Sequence, residues 1–119
     1  MEVKDRKLTT NEIEILREAI IDYDLFTSGN SSEESMKRSL SKIKEKIDNN
    51  NISLLSDATL DSVFLVPALK KYNKYLSQCV RESSSEYEKN QYRPKLYCCN
   101  SLWRTLQDVF YEATGKSLE

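Results

Sequence analysis

The chain has 119 residues, of which 18 are basic and 19 acidic, so its formal net charge is −1. Two glycines are too few for a β-sandwich, a phosphate-binding loop or a dinucleotide-binding fold, because each of these needs several residues at positive φ. The sequence contains no histidine, so it can build neither a Ser/His or Cys/His nucleophile pair nor a mixed Cys/His zinc site.

Hydrophobic periodicity predicts one all-α domain over residues 1–119, a compact bundle of four main helices, or five with a break or kink at Pro67. We expect residues 1–8 to form a loose N-terminal segment. Residues 1–7 are mostly charged and no apolar stretch follows them, which argues against a secretory signal. No run of apolar residues approaches the length of about 18 that a membrane span needs.

The first helix is predicted over residues 10–26. Thr9 and Glu12 stand at capping-box spacing, in which the hydroxyl accepts from the third amide and the carboxylate reaches back. Apolar residues then recur every three or four positions and form one helical face: Ile13, Leu16, Ile20 and Tyr23. Gly29 is the expected stop after this helix.

A second capping box, Ser31 with Glu34, predicts the start of the next helix, and the asparagines at 49–51 predict its end. Its apolar stripe is narrow: Met36, Leu40, Ile43 and Ile47. Because the rest of its surface is charged, we expect this helix at the periphery of the fold.

The most hydrophobic region surrounds Pro67, which lacks the amide proton that a helix interior requires. The sequence leaves open whether Pro67 kinks a long helix or begins a new one; we favour a short helix near 57–65 followed by a longer one over 67–82. A polar connector is predicted over residues 84–94. The last helix then follows with a heptad-like stripe and with Gly115 as its left-handed C-cap: Leu96, Cys99, Trp103, Leu106, Phe110 and Ala113.

Three cysteines are an odd number and lack the spacing of a metal site, so we interpret Cys79 and Cys99 as core thiols and Cys98 as partly exposed. This usage suits a reducing compartment and predicts a cytoplasmic protein. Carboxylate pairs such as Glu86 and Glu88 have only polar neighbours in the sequence, which disfavours acid–base chemistry. We therefore expect no catalytic residue, no cofactor and no metal ligand.

The distribution of charge is more informative than its sum. Residues 1–35 carry a net charge of −5, residues 36–95 carry +5 and residues 96–119 carry −1. Three carboxylates of the first helix recur every fourth residue, and a fourth follows them: Glu14, Glu18, Asp22 and Asp24. Like charges at this spacing destabilise an isolated helix, so the stripe is a candidate partner-binding surface on its outward face. A solvated face, or pairing with the basic middle of the chain, are the alternatives.

A second candidate surface lies around the predicted connector, where Tyr87, Tyr92, Arg93 and Tyr97 cluster. Tyrosine and arginine are enriched where proteins bind one another, although tyrosines also cap the rim of a helical core. Tyr72 and Tyr111 are interpreted as structural.

The leading hypothesis is a non-enzymatic protein–protein interaction module. Its most concrete form is a small inhibitor or immunity-type protein that neutralises a basic partner such as a toxic nuclease. The first alternative is a structural subunit or adaptor of a larger assembly, and self-association stays open. The second is an RNA- or single-stranded-DNA-binding module, which the near-neutral net charge disfavours; its candidate residues are Lys70, Lys71, Lys74, Tyr75 and Arg104. No membrane partner is expected.

Overall fold

The computed structural model describes residues 6–26 and 31–116, and within these residues it contains five helices and no strand. The helices are α1 (Thr10–Phe26), α2 (Ser31–Asp48), α3 (Leu55–Leu60), α4 (Ser62–Glu82) and α5 (Glu86–Thr114). The all-α bundle expected from the sequence is confirmed. The predicted stop at Gly29 lies outside the described residues.

Helix α4 occupies the centre of the bundle and packs along both α5 and α1. The three residues 83–85 join α4 to α5, so these two helices form an antiparallel hairpin. Every helix contributes to the core, whose large side chains are under 2% exposed: Leu16, Leu40, Leu55, Leu65, Leu69, Leu76, Leu102 and Leu106. Over residues 34–48, helix α2 buries a narrow stripe, Leu40, Ile43 and Ile47, which confirms its predicted place at the periphery.

The predicted capping box at the start of α1 is confirmed. The amide of Glu12 donates to the Thr9 hydroxyl at 3.1 Å, and the amide of Thr9 donates to the Glu12 carboxylate at 2.9 Å. Arg6 adds two hydrogen bonds to the same carboxylate, at 2.8 and 3.0 Å. Burial opposes the charge on Glu12, but Arg6 and Thr9 together outweigh it and hold the pKa of Glu12 below its ordinary value.

The expectation of a loose segment over residues 1–8 is wrong for residues 6–8. The amide of Leu8 donates to the carbonyl of Ser53 at 2.8 Å, and the amide of Leu55 donates to the carbonyl of Arg6 at 2.8 Å. This short antiparallel contact holds the segment against the start of α3, and it buries Leu8. The sequence showed the charges of the segment but not the distant backbone that pairs with it.

The predicted break at Pro67 is also wrong, because the chain breaks at Asp61. Asp61 ends α3, and its carbonyl accepts the first helical amides of α4. Pro67 lies inside α4, where its missing amide frees the carbonyl of Val63. Val63 and Pro67 both lie on the exposed side of α4, so water can reach that carbonyl. A solvent-facing position therefore lowers the cost of a proline within the helix.

The polar connector predicted over residues 84–94 is shorter than expected, because α5 already begins at Glu86 and includes Pro94. Ser85 caps α5 by accepting from the amide of Glu88 at 3.1 Å. Ser85 and Glu88 have the same spacing as Thr9 and Glu12, so a signal for this start was present in the sequence. Pro94 again lies on the exposed side of its helix.

The buried stripe of α5 differs slightly from the predicted one and consists of Cys99, Leu102, Leu106 and Val109. The predicted Trp103 and Phe110 lie at its edge, and Ala113 is exposed. Gly115 caps the helix at φ 72°, and its amide donates to the carbonyl of Tyr111 at 2.7 Å, as predicted. Across the part of the chain that is described, every helix is too short or too polar to cross a membrane.

Candidate docking surface

Two members of the predicted acidic stripe on α1, the buried Asp22 and the half-buried Glu18, are paired within the molecule. Asp22 is only 5% exposed, and Lys71 of α4 donates to its carboxylate at 3.0 Å. Glu18 accepts from the Tyr72 hydroxyl at 2.7 Å and from Lys95 of α5 at 3.2 Å. Glu18 and Asp22 therefore join α1 to α4 and α5. The outward orientation predicted for the stripe is wrong for these two residues, and the alternative of pairing with the basic middle of the chain is confirmed for them.

The reason is that the buried face of α1 is wider than the predicted stripe. It includes Ile15 and Ala19 as well as Leu16 and Ile20, and this rotates Asp22 inward. The other two predicted carboxylates, Glu14 and Asp24, are exposed. An outward acidic surface built from all four residues does not exist in the fold.

The same network changes the chemistry of Tyr72, which is 6% exposed. Burial, followed by the hydrogen bond to Glu18, raises the pKa of Tyr72 well above its ordinary value. Tyr72 also stacks on Tyr75, with ring centroids 6.0 Å apart. The structural role predicted for Tyr72 agrees with this burial.

The four predicted connector residues lie on α5 and differ in exposure. Tyr87 and Tyr97 are 75% and 82% exposed, whereas Tyr92 is half-buried against the core. Arg93 is exposed and contacts Glu86 and Asn90, each at 3.3 Å. Tyr87 lies one helical position beyond the start of α5, about 15 Å along the axis from Tyr97. The helix thus separates residues that the sequence grouped together.

Helical geometry groups a different set on the outward side of α5. Tyr97 lies seven residues before Arg104, and Tyr111 lies seven residues after it. Arg93 lies one turn before Tyr97. At about 100° per residue, the four side chains leave the axis within about 40° of one another. We call Arg93, Tyr97, Arg104 and Tyr111 the α5 ridge. Tyr111 is 58% exposed, so its predicted structural role is wrong.

A row of cations follows the outward side of the neighbouring helix α4. Lys70, Lys74 and Arg81 have the spacing four and seven, which again places them within about 40° around the axis. We call these three residues the α4 strip. The sequence from residue 62 to residue 81 has no carboxylate at all. Lys71 does not belong to the strip, because it turns to Asp22.

The α4 strip and the α5 ridge meet at Trp103. The amino group of Lys70 lies 5.2 Å from the centre of the Trp103 ring, and the guanidinium of Arg104 lies 5.7 Å from it. Within the described residues, no carboxylate lies within 4.0 Å of the cationic groups of Lys70, Lys74, Arg81 or Arg104. The Trp103 ring restricts the side chains of Lys70 and Arg104, but because it carries no net charge it does not neutralise their positive charges.

Shallow grooves run along this side of the hairpin. One, of about 590 Å³, lies between α4 and α5, and its lining includes Lys74, Gln78, Arg81 and Leu96. Another, of about 380 Å³, lies beside Tyr97 and Arg104 on α5. Both are open to solvent, so they suit an extended partner better than an enclosed small molecule.

Burial makes two of the three cysteines poor nucleophiles. Cys99 is buried and donates its thiol to the carbonyl of Leu69 at 3.2 Å, and burial raises its pKa to about 12. Burial also raises the pKa of the half-buried Cys98 thiol. Cys79 was expected to be a fully buried core thiol, but it is only half-buried. Among the residues that the structure covers, no three metal-binding side chains come together.

Neither a protein-family model nor a curated protein nor a solved structure matches this chain.

Proposed function

We propose that this chain is a non-enzymatic protein–protein interaction module that docks through the α5 ridge. The observation that carries the proposal is Tyr97, which stands 82% exposed in the middle of a long helix, two residues from the fully buried Cys99. Its phenol ring contributes nothing to the core and exposes a large amphipathic surface to solvent.

The composition of the ridge supports this function. Tyrosine and arginine bury a large area for a small loss of side-chain entropy, and they dominate the binding energy of many protein interfaces. On the α5 ridge, two tyrosines and two arginines follow one side of a rigid helix. A rigid helix presents its side chains in a fixed arrangement, which lowers the entropic cost of docking.

The most concrete form of the proposal is a small cytoplasmic inhibitor of the immunity type, which acts by covering the working surface of its target protein. The acidic stripe was the reason to expect a basic target such as a nuclease. Because Glu18 and Asp22 form hydrogen bonds with residues of α4, the acidic stripe no longer supports a basic target. Docking through the α5 ridge does not require a basic target.

Site-specific photo-crosslinking in the native host tests the proposal. A photoreactive phenylalanine analogue replaces Tyr97, and a matched control carries it at Lys42, which is exposed on α2. We expect a discrete protein cross-link from position 97 and none from position 42. Excess unlabelled wild-type chain should compete it away, whereas the Tyr97→Ala/Arg104→Ala variant should not.

The alternatives give different results in the same experiment. A cross-link to a second copy of this chain would favour the structural-subunit hypothesis, and a cross-link to nucleic acid would favour the RNA- or DNA-binding hypothesis. Equal labelling from positions 97 and 42, or competition by the Tyr97→Ala/Arg104→Ala variant, would reject docking through the α5 ridge.

A further inference from the structure

We infer that the partner contributes an acidic protein segment, which lies along the α4 strip and meets the α5 ridge at Arg104. This inference rests on the proposed function and names the chemistry of its partner. Four cations without a carboxylate partner among the described residues, Lys70, Lys74, Arg81 and Arg104, line one side of the α4–α5 hairpin. Their side chains favour negative charge at positions that no described carboxylate fills.

The cations of α4 differ from those of α2 in their surroundings along the chain. On α2, the exposed Arg38 and Lys42 stand within a turn of Glu34 and Glu45, so carboxylates lie close to the cations of that helix. On α4, the first acidic residue is Glu82, at the last position of the helix. From Lys70 to Arg81 the α4 strip therefore offers about 17 Å of positively charged helix surface.

Lys70 and Arg104 are held in position by Trp103. Both contact the Trp103 ring, which limits the freedom of two long side chains before any partner arrives. Ordered cations lose less entropy when a carboxylate binds them than freely moving ones do. The groove of about 590 Å³ beside Lys74 and Arg81 leaves room for the backbone of such a segment.

Carboxylates fit this surface better than a nucleic-acid backbone does. Exposed acidic residues lie at both ends of it: Glu82 follows Arg81 directly in the chain, and Asp108 lies one turn beyond Arg104. A polynucleotide carries a charge at every phosphate and would bring some of them close to these carboxylates. A protein segment can place its carboxylates opposite the cations only. In addition, Lys70 and Arg104 occupy the Trp103 ring, so it is not a free platform for base stacking.

Fluorescence anisotropy tests the inference with a labelled peptide of about 20 residues that alternates Glu and Ala and, if helical, spans about 30 Å. Its counterpart has Gln in place of Glu, and an oligothymidylate of equal charge represents nucleic acid. We expect binding of the Glu peptide only, with an affinity that falls as added salt shortens the Debye length from about 10 Å at 0.1 M.

Two charge-reversal variants make the test specific. Lys74→Glu/Arg81→Glu should weaken binding of the Glu peptide about tenfold. Arg38→Glu/Lys42→Glu makes the same change of net charge on α2 and should alter binding less than about twofold. Circular dichroism should show both variants to be folded, since the four replaced side chains are exposed.

Three results would overturn the inference: no binding of the Glu peptide, equal weakening by the two variants, or tighter binding of the oligothymidylate than of the peptide. Each leaves the proposed function standing if position 97 still cross-links to a protein. Conversely, a cross-linked partner segment mapped by mass spectrometry should be acidic, and a neutral or basic segment would contradict the inference alone.

Discussion

The inward side of α1 and the outward side of the α4–α5 hairpin both carry rows of like charges, and the fold treats them in opposite ways. On α1, Glu18 and Asp22 receive a tyrosine hydroxyl and two lysines from α4 and α5. On α4, Lys74 and Arg81 lack a carboxylate partner among the described residues. A row of like charges therefore identifies a surface for binding only if the fold leaves it unpaired.

The largest effect that separates the two regions should come from Asp22. Replacement by Ala removes the charge-assisted hydrogen bond from Lys71, whose side chain is 28% exposed, to the buried Asp22, so we expect a loss of about 2 kcal/mol in the free energy of unfolding. Glu14→Ala, on the exposed side of the same helix, should change it by less than about 0.5 kcal/mol. Urea denaturation measures both, and equal effects would contradict the inward role of Asp22.

An intermediate effect is expected at Glu12 as the pH falls. Its pKa in the folded state lies below its unfolded value, so its stabilising contribution is complete above about pH 4.3 and is lost as pH falls through the folded pKa. Gln can keep the capping hydrogen bond but not the charge that pairs with Arg6, so Glu12→Gln should lower the free energy of unfolding by about 1 kcal/mol at pH 7 and by much less at pH 2. Thermal unfolding at the two pH values checks this, and a loss that is the same at both would show that the carboxylate charge is irrelevant.

The smallest effect on folding should come from the outward side of the hairpin. Tyr97→Ala and Lys74→Ala remove exposed side chains, so each should alter the free energy of unfolding by less than about 0.5 kcal/mol. Differential scanning calorimetry of both variants, with Tyr72→Ala as a destabilised control, provides the measurement. A clear loss of stability in Tyr97→Ala would mean that this ring serves the fold rather than a partner.

The sequence predicted the elements whose signals are local. The α1 box of Thr9 and Glu12 and the Gly115 cap each depend on residues within one or two turns, and both are confirmed. The two prolines misled the boundary prediction, because the cost of a proline depends on whether the carbonyl that it frees meets water. The neighbouring helices determine whether that carbonyl is exposed to water, so its exposure cannot be predicted from the sequence of the helix alone.

The candidate surface was harder to predict for a related reason. Tyr97 was identified from residue type alone, and only the inclusion of Arg93 in the same row required α5 to run unbroken through Pro94. The cations of the α4 strip were noted only as part of a less favoured nucleic-acid hypothesis. The helical spacing of Lys70, Lys74 and Arg81 was visible in the sequence, whereas the lack of a carboxylate opposite them, among the residues that the structure describes, was not.

The sequence by itself determined that this chain is a helical bundle, since hydrophobic periodicity and capping act over a few residues. Only the tertiary structure decided which charges face solvent. Asp22 and Lys71 are 49 residues apart in the chain and 3.0 Å apart in the fold. An ionised side chain lowers its free energy with whichever opposite charge comes near it, and nearness across such a separation is a property of helix packing rather than of local sequence.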